Sequence, residues 1–231
     1  MALTFSWYMV CTLLIIPVPR VVDGPAVLSV LGGRQAVHIR TADGGVMRWA
    51  DLESSEPRLA ALGRRRLLGP GVVLVGTVRS DGAPRISPVE PWIMAGDLWL
   101  SMMWHSTKAM DLDRDPRILV HSVVTGRDGG EGEFKVRGQA RAEGDVAVQQ
   151  RYADEVAAGL GWRPVPGEFH LFAVDMADVT FIRYVDDTGD QFVARWPCGR
   201  EFVRRGTAAT VVGDPEPYHD LLRPGPPDAS S

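Results

Sequence analysis

The sequence predicts a mainly β chain, an antiparallel barrel with a few accessory helices, on three observations. Short runs rich in β-branched and aromatic residues recur between residues 72 and 196, separated by turn pairs such as Asp81-Gly82, Gly96-Asp97 and Gly189-Asp190. Helical periodicity is confined to a few segments. Strands and helices do not alternate regularly, as a doubly wound parallel sheet would require.

From residue 47 the chain becomes orderly, with Trp49, Leu52, Leu59 and Leu62 spaced for a helix. Residues 57–68 form a helical pattern that starts at Pro57, a residue suited to a first turn, and stops at Gly69-Pro70. Val72 to Val78 is a nearly continuous β-branched run, expected for a strand shielded on both faces. A turn on Ser80-Asp81-Gly82 leads to a second strand, residues 85–94, in which Pro88 and Pro91 delete ladder donors and predict a bend or an edge. Leu98 to Met103 is an apolar third strand, and Ser106-Thr107-Lys108 opens a short helix closed by Asp115-Pro116. Strands follow over 118–124 and 134–142, joined through the glycine-rich acidic loop 126–132, which lacks phosphate-loop spacing and predicts a flexible hairpin connection. A helix over 145–160 carries Val146, Val148, Tyr152, Val156 and Leu160 on its apolar side. Further strands are expected over 169–174, 179–185 and 191–196.

With 231 residues and 45% hydrophobic content, the chain supports one catalytic-sized core. Its parts are expected to be an N-terminal extension over 1–46, a folded domain over 47–196 and a proline-rich, disordered tail over 197–231. The apolar run before Pro17 has no preceding Lys or Arg and no small-residue cleavage site, so an export signal or membrane anchor is the weaker reading. Met47 is the expected biological start, which an intact mass from the native host would check. A formal net charge of −4 gives no basic field for nucleic acid. Cys11 and Cys198 form neither a disulfide framework nor a metal-ligand pattern, which fits a cytoplasmic setting and no metal. No Ser-His-Asp set, paired-carboxylate motif or HExxH supplies a handle for hydrolysis.

The strongest chemical signal is Ser106-Thr107-Lys108, where unsatisfied backbone N–H groups at a helix start, two hydroxyls and an ammonium make a seat for a phosphate. His105 adjoins it. The bland alternative is that Ser106 is only an N-cap and Lys108 only a surface lysine.

The order of elements over roughly residues 47–196 (strand, Asp-Gly turn, strand, Gly-Asp turn, strand, S-x-K helix, Asp115-Pro116-Arg117 strand) resembles the pyridoxamine 5'-phosphate oxidase-like superfamily. The resemblance implies a split β-barrel of the FMN-binding type, holding FMN or the deazaflavin coenzyme F-420, with a small organic molecule as substrate. It implies a homodimer with the cofactor at the subunit interface, where Arg195 and Trp196 would reach the neighbour's cofactor. The ring would lie against the second and third strands, touched by Arg85, Ser87, Val89, Ser101, Met102, Met103 and His105, with Ser106, Thr107 and Lys108 on the phosphate. No protein residue is assigned a catalytic step, because the cofactor carries the chemistry. Arg85 is the candidate cation for the ring or for a further phosphate contact. The oxidase's R-x-V-L-L-K run is replaced by Ser87-Pro88-Val89-Glu90-Pro91-Trp92, one cation of its phosphate seat by Thr107, and its flavin-contacting glutamine by Glu133. These departures argue against vitamin B6 oxidation. Pro84 to Pro88 is more similar to the flavin and deazaflavin reductases, and a non-catalytic flavin- or haem-binding protein is the rival from another class. The deazaflavin's longer acidic tail would call on Arg79, Arg85, Lys108 and Arg137.

Overall fold

The computed structural model describes residues 46–127, 129–208, 211–219 and 221–222. The expected extension over 1–46 lies, apart from Val46, outside the described residues. The chain begins with helices α1 (Trp49–Ser55) and α2 (Pro57–Leu68), broken at Glu56 before Pro57 rather than continuous. Strands β1 (Val73–Val78), β2 (Pro84–Val89), β3 (Pro91–Met94) and β4 (Asp97–Met103) follow, then helix α3 (Thr107–Arg114). Next come β5 (Arg117–Ser122), β6 (Glu133–Glu143), helix α4 (Val146–Leu160), β7 (Phe169–Val185), β8 (Asp190–Trp196), β9 (Arg200–Ala208) and β10 (Val211–Pro217).

All strand pairs are antiparallel. A wall runs β2-β1-β5-β6-β7, and β4 joins it on β7 and carries β3 on its other edge. The long β7 serves three neighbours: its start pairs with β4, its middle with β6 and its end with β8. β2 and β3 meet only through the chain at Glu90, with no ladder between them. The result is a mainly antiparallel β barrel with accessory helices, split between β2 and β3–β4, from which β8, β9 and β10 extend as a wing.

Period-two alternation sets the core. Val73 and Val75 of β1, Ile118 and Val120 of β5, Phe134 and Val136 of β6 point inward and are buried. α2 packs closely on this core at Gly63, where an added Cβ would lie 2.5 Å from the Phe134 ring. α4, capped by the Asp145 side chain accepting from the Ala147 N–H, lays Tyr152 and Val156 over the opposite face of β4 and β7, against Trp99, Phe169 and Leu171. Among the described residues no helix is long and apolar enough to cross a membrane.

Three expectations are corrected. The single strand over 85–94 is two, because Pro88 and Pro91 flank a break at Glu90 and the halves pair with different neighbours. The two strands over 169–185 are one, bent where the register shifts opposite Arg137 and Gly138. Glycine is required there, since a Cβ at 138 would sit 2.1 Å from the Asp175 carbonyl oxygen. Within the tail expected to be disordered, residues 200–208 and 211–217 form β9 and β10; Phe202 and Val203 pair against β8, and the prolines at 215 and 217 fall on the outer strand, where missing donors cost no ladder bond.

Among the described residues of the acidic loop 126–132, Glu131 is anchored. The Glu131 carboxylate accepts from the backbone N–H groups of Gly126 and Thr125 and from Arg66, which holds its carboxyl down at about 2. A carboxyl lowered on folding adds stability that is present above its unfolded value and is lost as pH falls toward the folded one. The urea midpoint is therefore expected to fall between about pH 5 and pH 2, and Glu131→Gln to lower it at neutral pH while flattening part of that acid dependence. An acid profile unchanged by the substitution would contradict this anchoring.

Candidate functional site

β2 pairs with β1 on one edge, and among the described strands nothing pairs with its other edge. β4 pairs with β3 only from Asp97 to Leu100, so beyond Leu100 its edge toward β2 has no ladder partner. The two strands approach within 8 Å, Cα to Cα, without a hydrogen-bonded register. The backbone edges without a ladder partner are thus those of β2 and of β4 beyond Leu100, the segments against which the resemblance would set a planar ring.

α3 closes this region. Its N-cap, Ser106, is extended (φ −63°, ψ 144°) but makes no capping bond, and its Oγ is buried without a hydrogen-bond partner. The first-turn N–H groups of the helix have no intrahelical acceptor. Lys108, on that turn, donates through Nζ to the Pro88 carbonyl oxygen at 3.1 Å and so ties α3 to β2. Thr107 is exposed beside it. The structure therefore brings Ser106, Thr107, Lys108 and the Ser87-Pro88-Val89 segment to one end of the split.

The other candidates are distributed differently. Ser87 and Val89 face inward on β2, Val89 into the core. Met102 is also in the core, whereas Ser101 turns to the α4 side and accepts from the Tyr152 hydroxyl at 3.0 Å. Met103 is 76% exposed at the strand end. Arg85 does not stand free: its Nε donates to Asp111 Oδ2 at 2.7 Å, and that carboxylate also receives Thr77 Oγ1 and Arg114. Burial pushes the Asp111 carboxyl up, but the bonds from Arg85, Thr77 and Arg114 outweigh it and hold the carboxyl below its usual range.

His105 occupies the left-handed region (φ 55°), uncommon for a residue with a side chain. Its N–H donates to His170 Nε2 at 3.3 Å. Sequence reading missed His170 and Asp111 as parts of this region. His105 is 65 residues from His170, and Arg85 is 26 and Thr77 34 residues from Asp111, so no local spacing announces these contacts. Glu133 is buried on β6, its oxygens within 3.0 Å of His121 Nε2 and Lys135 Nζ. Burial raises its carboxyl and those two partners bring it below the usual value. Among the described residues no group of three or more His, Cys, Asp or Glu is placed to hold a metal.

With this geometry in view, family models and curated proteins return no match to the chain. Solved structures do. One is a protein related to general stress protein 26, of the pyridoxinephosphate oxidase family, from Clostridium acetobutylicum: 15% identical, covering 60% of this chain and 96% of that one, with a TM-score of 0.46. An F-420 reductase is 15% identical over 50% of this chain and 94% of its own, TM-score 0.41. A heme binding protein from Mycobacterium smegmatis is 21% identical over 64% of this chain and 59% of its own, TM-score 0.41. At these identities and scores none of them transfers a residue's role.

Proposed function

We propose that this chain is a split-barrel FMN-dependent oxidoreductase acting on a small organic substrate. The observation that carries the reading is the unpaired edge of β2 and β4 ending at a helix start with a buried, partnerless Ser106 Oγ and with Lys108 on its first turn. Ser106, Thr107, Lys108 and the first-turn N–H groups of α3 would hold the phosphate. Backbone groups of 85–89 and 101–103 would hydrogen-bond the ring. When bound, FMN supplies hydride or electron transfer, and the protein supplies position and exclusion of water.

FMN is favoured over the deazaflavin coenzyme by the fate of the cations. Arg79 lies 3.8 Å from Asp81, Arg85 is paired with Asp111 and Arg137 with Asp178, so an acidic tail would find these arginines already neutralised. A haem reading is disfavoured at His121, whose two ring nitrogens face the Ser122 carbonyl and Glu133. Protein loaded with FMN should bleach under a reductant and recover with an organic acceptor faster than free FMN does. Rates equal to free FMN across an acceptor panel would leave only a binding protein.

A homodimer completes the proposal. On the outer side of β2, β1 and β5, Ile86 is 71% exposed and Leu74 and Leu119 about a third exposed. Ile86 and Leu119 both lie opposite Gly76, whose missing side chain makes them one patch. An apolar strand surface of this kind is characteristic of an interface. Ile86→Asp is expected to convert a dimer into a monomer in light scattering at micromolar concentration; an unchanged mass would move the interface elsewhere.

A further inference from the structure

His170 sits at the start of β7, opposite Met102 of β4, and is only partly exposed. Its ring is stacked on Trp104, at 4.5 Å and 23°, and lies parallel to the Phe172 ring, at 6.0 Å and 2°. Nε2 accepts the His105 N–H, and Nδ1 lies 3.6 Å from the Asp113 carboxylate on α3. A ring nitrogen that accepts a backbone N–H carries no proton, so the proton of the neutral ring is on Nδ1, on the side of Asp113. One imidazole therefore touches the aromatic side chain, the strained backbone and the helix that together deliver Ser106 and Lys108. The 104–105 turn has further contacts among the described residues. Ser106 N–H closes it on the Met103 carbonyl, and the His105 ring stands edge-on to Trp104.

We infer that His170 is a positioning residue of the phosphate seat: by accepting the His105 N–H while stacked on Trp104, it holds the left-handed turn that aims the start of α3 at a bound phosphate. This rests on the FMN reading above. A left-handed non-glycine residue persists only where its surroundings determine it, and the acceptor at Nε2 is the polar part of those surroundings. His170 does not touch the ligand in this account; its effect passes through residues 104–106.

The test uses the full chain and two ligands with the same ring, FMN and riboflavin, which lacks the phosphate. Both are titrated by flavin fluorescence into wild type, His170→Phe and His170→Gln. Phenylalanine keeps the stack and removes the acceptor. Glutamine places an amide oxygen near the position of Nε2. The expected result is an FMN affinity about tenfold weaker in His170→Phe, largely recovered in His170→Gln, with riboflavin affinity unchanged in both. Wild-type FMN affinity in His170→Phe would overturn the role of His170 and leave the FMN reading standing, as would equal losses for FMN and riboflavin. A wild type that does not prefer FMN to riboflavin would overturn the phosphate seat itself, and the role of His170 with it. Should His170→Phe fail to fold, the ring nitrogens of wild-type His170 in a long-range nitrogen–proton spectrum decide. An unprotonated Nε2 supports the clamp, and a protonated one overturns it.

Discussion

Lys108→Ala is expected to weaken FMN binding by one or two charge-assisted hydrogen bonds, about 1.5–3 kcal/mol each, or roughly 10- to 150-fold per bond. Lys108 carries the ammonium on the first turn of α3, and its bond to the Pro88 carbonyl already places that charge at the end of the split. An ammonium held there meets a phosphate without first losing the freedom of a long side chain. The effect should be confined to phosphate-bearing ligands: FMN affinity falls and its salt dependence shrinks, while riboflavin affinity stays constant. The fold should survive, because the bond lost is solvent-exposed. Urea denaturation checks that second half, and an FMN affinity equal to wild type removes Lys108 from the site.

Asp111→Ala should be the most destabilising single change near the site. Asp111 lies on α3 with a side chain 6% exposed and accepts from Arg85, Thr77 and Arg114. Removing it leaves Arg85 without its counter-charge beside the core and Thr77 without its acceptor, a loss of about 3–5 kcal/mol for a broken buried pair. Replacing both charges, Asp111→Leu with Arg85→Met, should recover much of that loss, since apolar groups of similar size leave no uncompensated charge. Because the Asp111 carboxyl is lowered on folding, its contribution is present above the unfolded value near 4 and disappears as pH falls through the folded value. The gap in urea stability between wild type and Asp111→Ala should therefore narrow in acid. A gap that stays constant from neutral pH to about pH 2 would contradict the charged pairing.

The elements closest to the site were legible because local chemistry writes them. Pro57 starts α2, the Asp81-Gly82 and Gly96-Asp97 turns end their strands, and Ser106 with Asp115-Pro116 brackets α3. What the sequence did not disclose is nonlocal. Nothing in Arg85 announces that Asp111, on a helix beyond two intervening strands, takes its Nε, so an arginine that the resemblance set against the cofactor also holds a buried carboxylate of α3. His170 reads as an isolated histidine at a strand start, and its tie to His105 exists only because β7 pairs with β4. The proline content beyond Pro197 suggested disorder, but composition does not register that Phe202 and Val203 find partners on β8. Gly138 is a similar case, a strand glycine whose purpose is visible only once Asp175 lies against it.

The most direct test of the account is a parallel titration of the dialysed full-length protein with FMN, riboflavin, FAD, the deazaflavin coenzyme and haem, following ligand fluorescence or absorbance. The account predicts selective binding of FMN, with riboflavin weaker by the energy of the phosphate contacts at α3. Binding of none of the five, or of FMN and riboflavin alike, would contradict it.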